Sequence, residues 1–144
     1  MELMSEKLKY SEDNYPLQEL SGTIIGICME VHRVLGHGFL EVIYKHAIEY
    51  ELNQRQIKFE REKKFEIEYK GIILRNHYVA DFVVDNNIIL EVKAQQGIAD
   101  EHYKQVINYL AASRKEVGLL INFGEPSLKF KRLVLTKSKK NLRS

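Results

Sequence analysis

The sequence predicts an α/β fold of α+β character, a mixed β-sheet core flanked by helices, with elements in the order ααββββαββ. Three observations point there. Apolar residues recur at three- and four-residue steps in three segments, the mark of helices with one buried face. Elsewhere they alternate with period two, as on half-buried strands. The third helical segment falls between two strongly apolar strand segments, 88–94 and Val117–Asn122, so it must cross over from one strand to the next.

The fold begins near Leu17. Leu17, Leu20, Ile24, Ile27, Cys28, Val31, Val34 and Leu35 keep helical spacing, and Gly36 and Gly38 close that helix. Leu40, Ile43, Tyr44, Ala47, Ile48 and Leu52 carry the same period to about Arg55. The period then changes to two in 57–60 and 65–69, and Lys70-Gly71 marks a hairpin turn before 72–74. A second hairpin joins 77–84 to 88–94 through Asp85-Asn86-Asn87, residues that favour turns. Asp100 reads as the N-cap of the third helix, whose apolar face is Tyr103, Val106, Ile107, Leu110 and Ala111. Val117–Asn122 has the composition of a central strand, and 128–135 forms the last. No repeat or Pro/Gly/Ser linker interrupts residues 17–135, expected to be one domain between a loosely ordered segment 1–16 and a basic tail 136–144.

In 144 residues, 22 Lys and Arg face 20 Asp and Glu, a net charge of +2 that argues against a wholly basic nucleic-acid binder. The average hides an asymmetry. From Ser127 onward there are seven basic residues and no acid, while the first 126 residues hold fifteen basic against 20 acidic, a net −5. The single Cys28 excludes an internal disulfide framework and a Cys-rich zinc module, and fits a reducing, cytoplasmic setting. No run approaches the roughly 18 apolar residues of a membrane span, and the charged stretch Met1 to Glu12 does not read as a secretion signal; no membrane partner is expected.

The chemistry concentrates between Asp81 and Lys93. A strand as apolar as 88–94 should be buried, and burying Glu91 and Lys93 costs several kcal/mol per ion unless each is paired or bound to a cation. Residues 91 and 93 share one strand face. Asp81 joins them only if Val84 pairs with Ile88 across a three-residue loop, because a two-residue loop turns Asp81 to the other face. Two adjacent carboxylates are best kept ionised by a hard divalent cation, and oxygen ligands with retained waters favour Mg²⁺ or Mn²⁺. Lys93 would then reach a water at the cation or a substrate phosphate, the arrangement that phosphodiester hydrolysis requires.

Asp81, followed after nine residues by Glu91-Val92-Lys93, resembles the D…ExK signature of the PD-(D/E)XK nuclease superfamily. Gly38-Phe-Leu-Glu41-Val-Ile-Tyr44 matches the motif of the GxxExxY protein family, a branch of that superfamily. The similarity extends through Val31-His32, the Leu120-Ile-Asn-Phe stretch and Lys131-Arg132, with His37 where that family commonly shows proline. The resemblance implies a restriction-endonuclease-like fold. It further implies that Asp81 and Glu91, with the Val92 backbone carbonyl, are metal ligands, that Lys93 is the catalytic lysine, and that Glu41 is a helix-borne acid completing the site. Gln105-Val-Ile-Asn-Tyr109 resembles the Q-x-x-x-Y motif of RecB-like members; Gln105 and Tyr109 share a helix face and would contact nucleic acid.

Blander readings stand beside these. An E-x-K triplet is commonly a same-face ion pair on an exposed strand, and Glu41 in a first helical turn is favoured by the helix dipole alone. Tyr44 reads as a core residue or a hydrogen-bonding partner of Glu41, and Gln105 and Tyr109 as a solvated face. The five histidines lack a zinc spacing. No Walker A, G-x-S-x-G or G-x-G-x-x-G occurs, which excludes P-loop NTPases, α/β-hydrolases and dinucleotide enzymes. Lys129, Lys131 and Arg132, on the last strand, are candidates for phosphate contacts. The expected function is a Mg²⁺-dependent nuclease acting on nucleic acid, DNA ahead of RNA. The alternatives are a catalytically inactive nucleic-acid- or protein-binding module on the same fold, and a homodimer paired through apolar helix faces.

Overall fold

The computed structural model describes residues 17–135, so the expected loose segment 1–16 and basic tail 136–144 lie outside the described residues. Two helices come first, α1 (Gln18–Leu35) and α2 (Glu41–Gln54). Strands β1 (Phe59–Tyr69), β2 (Ile72–Val84) and β3 (Ile88–Lys93) follow, then α3 (Asp100–Ser113), β4 (Val117–Asn122) and β5 (Lys129–Val134). They form one five-stranded sheet in the order β1-β2-β3-β4-β5, in which only β3 and β4 are parallel, joined by the α3 crossover. The mixed sheet flanked by helices is the expected fold class.

One element differs from expectation. Segments 72–74 and 77–84 are a single strand, β2, so three strands precede α3 where four were expected. Arg75 and Asn76 are polar but exposed, and polar side chains on a solvated part of a two-stranded ribbon give the backbone no reason to stop. The ribbon turns at Lys70-Gly71 as expected, both in the left-handed region with φ of 50° and 84°, the geometry of a two-residue hairpin turn.

Side-chain alternation sorts the core into two layers. Phe82, Val84, Ile88, Leu90, Val92, Val117, Leu119, Ile121 and Val134 pack against α1 and α2. Val83, Ile89, Leu120 and Leu133 face α3 through Val106, Tyr109 and Leu110. Burying an aliphatic side chain contributes about 1.5–3 kcal/mol, so both helical layers are held chiefly by these faces. Cys28 lies wholly inside the first layer, where burial pushes its thiol up to about 12. No helix among the described residues is long and apolar enough to cross a membrane.

The α1–α2 link is tied from within. Gly36 caps α1 at φ 76°. The Tyr44 hydroxyl donates to the Gly36 carbonyl at 2.6 Å and accepts the Phe39 N–H at 3.2 Å, while its ring stacks on Phe123 with centroids 4.5 Å apart. Tyr44 is therefore a core residue bonded to the link, not to Glu41. At α3 the cap is Ala99 rather than Asp100: the Ala99 N–H donates to His102 Nδ1, and the His102 N–H returns to the Ala99 carbonyl, both at 3.0 Å.

Candidate active site

The site is built from the hairpin between β2 and β3. Asp85 and Asn86 take φ of 51° and 58°, and the Asn87 N–H closes the turn on the Val84 carbonyl at 3.0 Å. Val84 thus pairs with Ile88, Val83 with Ile89 and Phe82 with Leu90, the register of the longer, three-residue loop. Continued one step, that register sets Asp81 opposite Glu91, but the ladder ends at Phe82.

Carboxylates take over where the ladder stops. The Asp81 N–H donates to Glu91 Oε2 at 2.7 Å, and the Val92 N–H donates to Asp81 Oδ2 at 2.8 Å. On the other side of β2 the pairing passes from Arg61↔Phe82 to Lys63↔Ala80, skipping Glu62 and Asp81, and Glu62 sits at φ 54°. Here the even-numbered side chains of β2 also change layer: Phe82 packs toward α1 and α2, whereas Ala80 and Tyr78 pack toward α3. Asp81 is the point of that exchange.

Glu91 is only 3% exposed. Burial first, then the charge of Asp81, pushes its carboxyl up from 4.5 to about 8, against the opposing pull of the Asp81 N–H, Lys93 and Lys45. Lys45 on α2 places Nζ 2.7 Å from Asp81 Oδ1 and 3.4 Å from Glu62 Oε2. Burial works against this ammonium, but the hydrogen bond and charge of Asp81, helped by Glu62, hold it above its ordinary value. Tyr109 of α3 is 5% exposed. Burial, followed by the charges of Glu91 and Asp81, raises its hydroxyl well above the usual tyrosine range, so it stays protonated and can only donate or accept a hydrogen bond.

Among the expected residues, Asp81, Glu91, Val92 and Lys93 thus meet where the β2–β3 ladder ends, with the Tyr109 hydroxyl within electrostatic reach of both carboxylates. Gln105 lies one turn before Tyr109 on α3, half-buried. Glu41 is the first residue of α2. Among the described residues no three His, Cys, Asp or Glu side chains are grouped to hold a metal ion, so Glu41 is not brought into a ligand set with Asp81 and Glu91. On β5, Lys131 stands in the cross-strand row Glu91–Leu120–Lys131 and Lys129 in the row Lys93–Asn122–Lys129. Arg132, opposite Leu119, belongs to the other face, with its guanidinium 5.8 Å from the Phe130 ring.

Three functional features escape the sequence reading. Lys45 reaches Asp81 from a different element; its one sequence signal is the i, i+4 spacing from Glu41, which puts both on one face of α2. Asn122 is buried and clamps the chain just beyond Lys93: its Oδ1 accepts the Gln95 and Gly124 N–H groups and its Nδ2 donates to the Gln95 carbonyl at 2.8 Å. Gly124 lies so close to this turn that a Cβ would fall on the Gln95 backbone and the Ala94 carbonyl carbon.

The donor chemistry suits a hard divalent cation. Each carboxylate gives one oxygen to a backbone N–H, and the second oxygen of Asp81 already holds a positive charge, that of Lys45. The sequence matches the model of the PD-(D/E)XK nuclease superfamily over residues 18–133. The chain belongs to that superfamily, whose nucleases generally use divalent metal ions. The crystal structure of SSO0001 is similar at TM-score 0.52 and 21% identity, over 71% of this chain and 54% of that one, so this chain spans about half the length of that protein. An alkaline exonuclease (LHK-Exo) from Laribacter hongkongensis aligns over 99% of this chain and 85% of its own, at 10% identity and TM-score 0.47. No curated protein matches the sequence at a significant level.

Proposed function

We propose that this domain is a metal-dependent nuclease of the GxxExxY branch that hydrolyses phosphodiester bonds of nucleic acid, DNA ahead of RNA, in the cytoplasm. The observation that carries this reading is the meeting of Asp81 and Glu91 where the β2–β3 ladder ends, with Lys93 two residues on along β3. Asp81, Glu91 and the Val92 carbonyl would hold Mg²⁺ or Mn²⁺. When bound, such a cation supplies polarisation of the phosphoryl oxygen and neutralises charge at the scissile phosphate. Lys93 is the catalytic lysine, orienting the attacking water and countering the charge that develops in the transition state. Tyr109 donates a hydrogen bond to a substrate oxygen, Gln105 binds beside it, and Lys129 and Lys131 hold the phosphate backbone along the same sheet face. Glu41 acts from the start of α2 as an outer acid of the metal shell, and Arg132 supports the strand from its other face.

The test is a digest of plasmid, single-stranded DNA and RNA by the purified protein with Mg²⁺, with Mn²⁺ and with chelator. Cleavage that needs the metal, and is lost in Lys93→Ala while the circular dichroism spectrum is kept, is the expected result. No cleavage of any substrate together with no metal heat in calorimetry would sink the reading. A second reading, a nucleic-acid-binding module without turnover, draws on the Lys45–Asp81 pair, which satisfies Asp81 without any metal. Salt-dependent binding without metal-dependent cleavage would favour it.

A further inference from the structure

Lys45 does not belong to the D…ExK pattern, yet its ammonium makes the shortest ion pair in the site, 2.7 Å to Asp81 Oδ1, with both side chains only 13% exposed. Its second partner, Glu62, is 51% exposed at 3.4 Å, and Glu62 Oε2 also lies 3.8 Å from Arg61 Nε. One cation is thus shared unequally between an inner carboxylate and an outer one. Resting on the nuclease reading above, we propose that Lys45 is a resident cation that holds the Asp81 carboxylate in place until a divalent ion arrives, and then yields that oxygen by shifting onto Glu62.

The physical argument is electrostatic and geometric. Asp81 and Glu91 are adjacent acids in a poorly solvated place, and the Lys45 ammonium is the counter-charge that pins the Asp81 carboxylate there. Asp81 Oδ2 is fixed by the Val92 N–H, so Oδ1 is the oxygen left to face a cation, and that is the atom Lys45 touches. A divalent ion at Oδ1 and a lysine ammonium 2.7 Å from the same atom repel each other strongly. The ammonium does not need to cross solvent to escape, because it already lies within reach of Glu62. Glu62 itself is held by an unusual backbone turn, φ 54° inside a strand, at the residue that would otherwise pair with Asp81. Lys45 is accordingly a positioning residue: its hold on Asp81 opposes metal binding, and its hold on Glu62 favours it.

The experiment measures Mn²⁺ binding by calorimetry in the full-length wild type, in Lys45→Met, which keeps the packed stem, and in Glu62→Gln, an exposed change that spares the fold. The expected result is binding about three- to tenfold tighter in Lys45→Met, where no ammonium competes, and weaker in Glu62→Gln, where the displaced ammonium has lost its second partner. Equal or weaker binding in Lys45→Met, with wild-type binding intact, overturns the Lys45 role and leaves the metal site standing. Absence of Mn²⁺ binding in all three proteins overturns both this role and the metal reading beneath it. Should Lys45→Met fail to fold, tighter or unchanged binding in Glu62→Gln alone is enough to reject the proposal, and weaker binding there upholds it.

Discussion

The Asp81 N–H donates to Glu91 Oε2 at 2.7 Å, while the Asp81 carboxylate accepts the amide of the residue after Glu91, Val92, at 2.8 Å. Each acid therefore satisfies a backbone N–H at the point where the β2–β3 ladder stops. Structure and chemistry compete for the same oxygens, and the following expectations turn on that competition.

The first concerns pH. In the folded protein the Glu91 carboxyl keeps its proton up to about 8, against 4.5 for the ordinary group. The folded state therefore binds more protons than the unfolded one across that window, so the contribution is fully present below the lower value and is lost as pH rises through the upper one. Urea unfolding in chelator should show stability falling from pH 5 to pH 8.5, roughly the window of the shift, and Glu91→Gln should flatten the fall. Mn²⁺ should stabilise the wild type more as pH rises, because the metal and the proton compete for Glu91. A profile in Glu91→Gln as steep as that of the wild type would contradict the assignment.

The second concerns the link before α2. Tyr44→Phe keeps the stack on Phe123 but leaves the Gly36 carbonyl and the Phe39 amide without the hydroxyl. The expected cost is about 1–3 kcal/mol in urea unfolding, with cleavage retained because the hydroxyl does not touch the site.

Gly124→Ala provides a third check. The added methyl must displace the Ala94–Gln95 turn, and overpacking of this kind costs about 1–3 kcal/mol. Since that turn begins directly after Lys93, the variant should lose cleavage more than its loss of stability explains, measured as kcat at a temperature where it is fully folded.

The fourth separates the two faces of β5. Lys129→Gln and Lys131→Gln, on the Glu91 and Lys93 face, should each reduce the salt dependence of DNA binding by about one unit of log–log slope. Arg132→Gln, on the opposite face, should leave the slope unchanged.

The helices and the β2–β3 hairpin are legible in the sequence because they rest on local rules. Helical spacing ends at Gly36, and the Asp85-Asn86-Asn87 turn fixes the register that brings Asp81 level with Glu91. What depends on a partner distant in the chain is not legible. Only its i, i+4 spacing from Glu41 sets Lys45 apart from a solvated helix lysine, because its partner Asp81 is 36 residues away and arrives only with the fold. Asn122 reads as the polar end of an apolar strand until Gln95 is beside it. Arg75 and Asn76 look like a break between strands, although ribbon pairing from Glu66↔His77 to Glu68↔Ile73 carries the chain past them with one register shift.

The β1–β2 ribbon has a further consequence for motion. Beyond Asp81 it has left β3 behind, and its tip carries Tyr69, Ile72 and Ile73, each more than half exposed. The inner part of β2, by contrast, shares its hydrogen bonds with strands on both sides. Asp81 therefore marks a boundary between two regimes of amide protection: outer ribbon amides should exchange with deuterium through local fraying, inner ones only through global unfolding. The acid at the centre of the site is then the last firmly held residue of its strand, and motion of the ribbon tip is filtered at its own backbone.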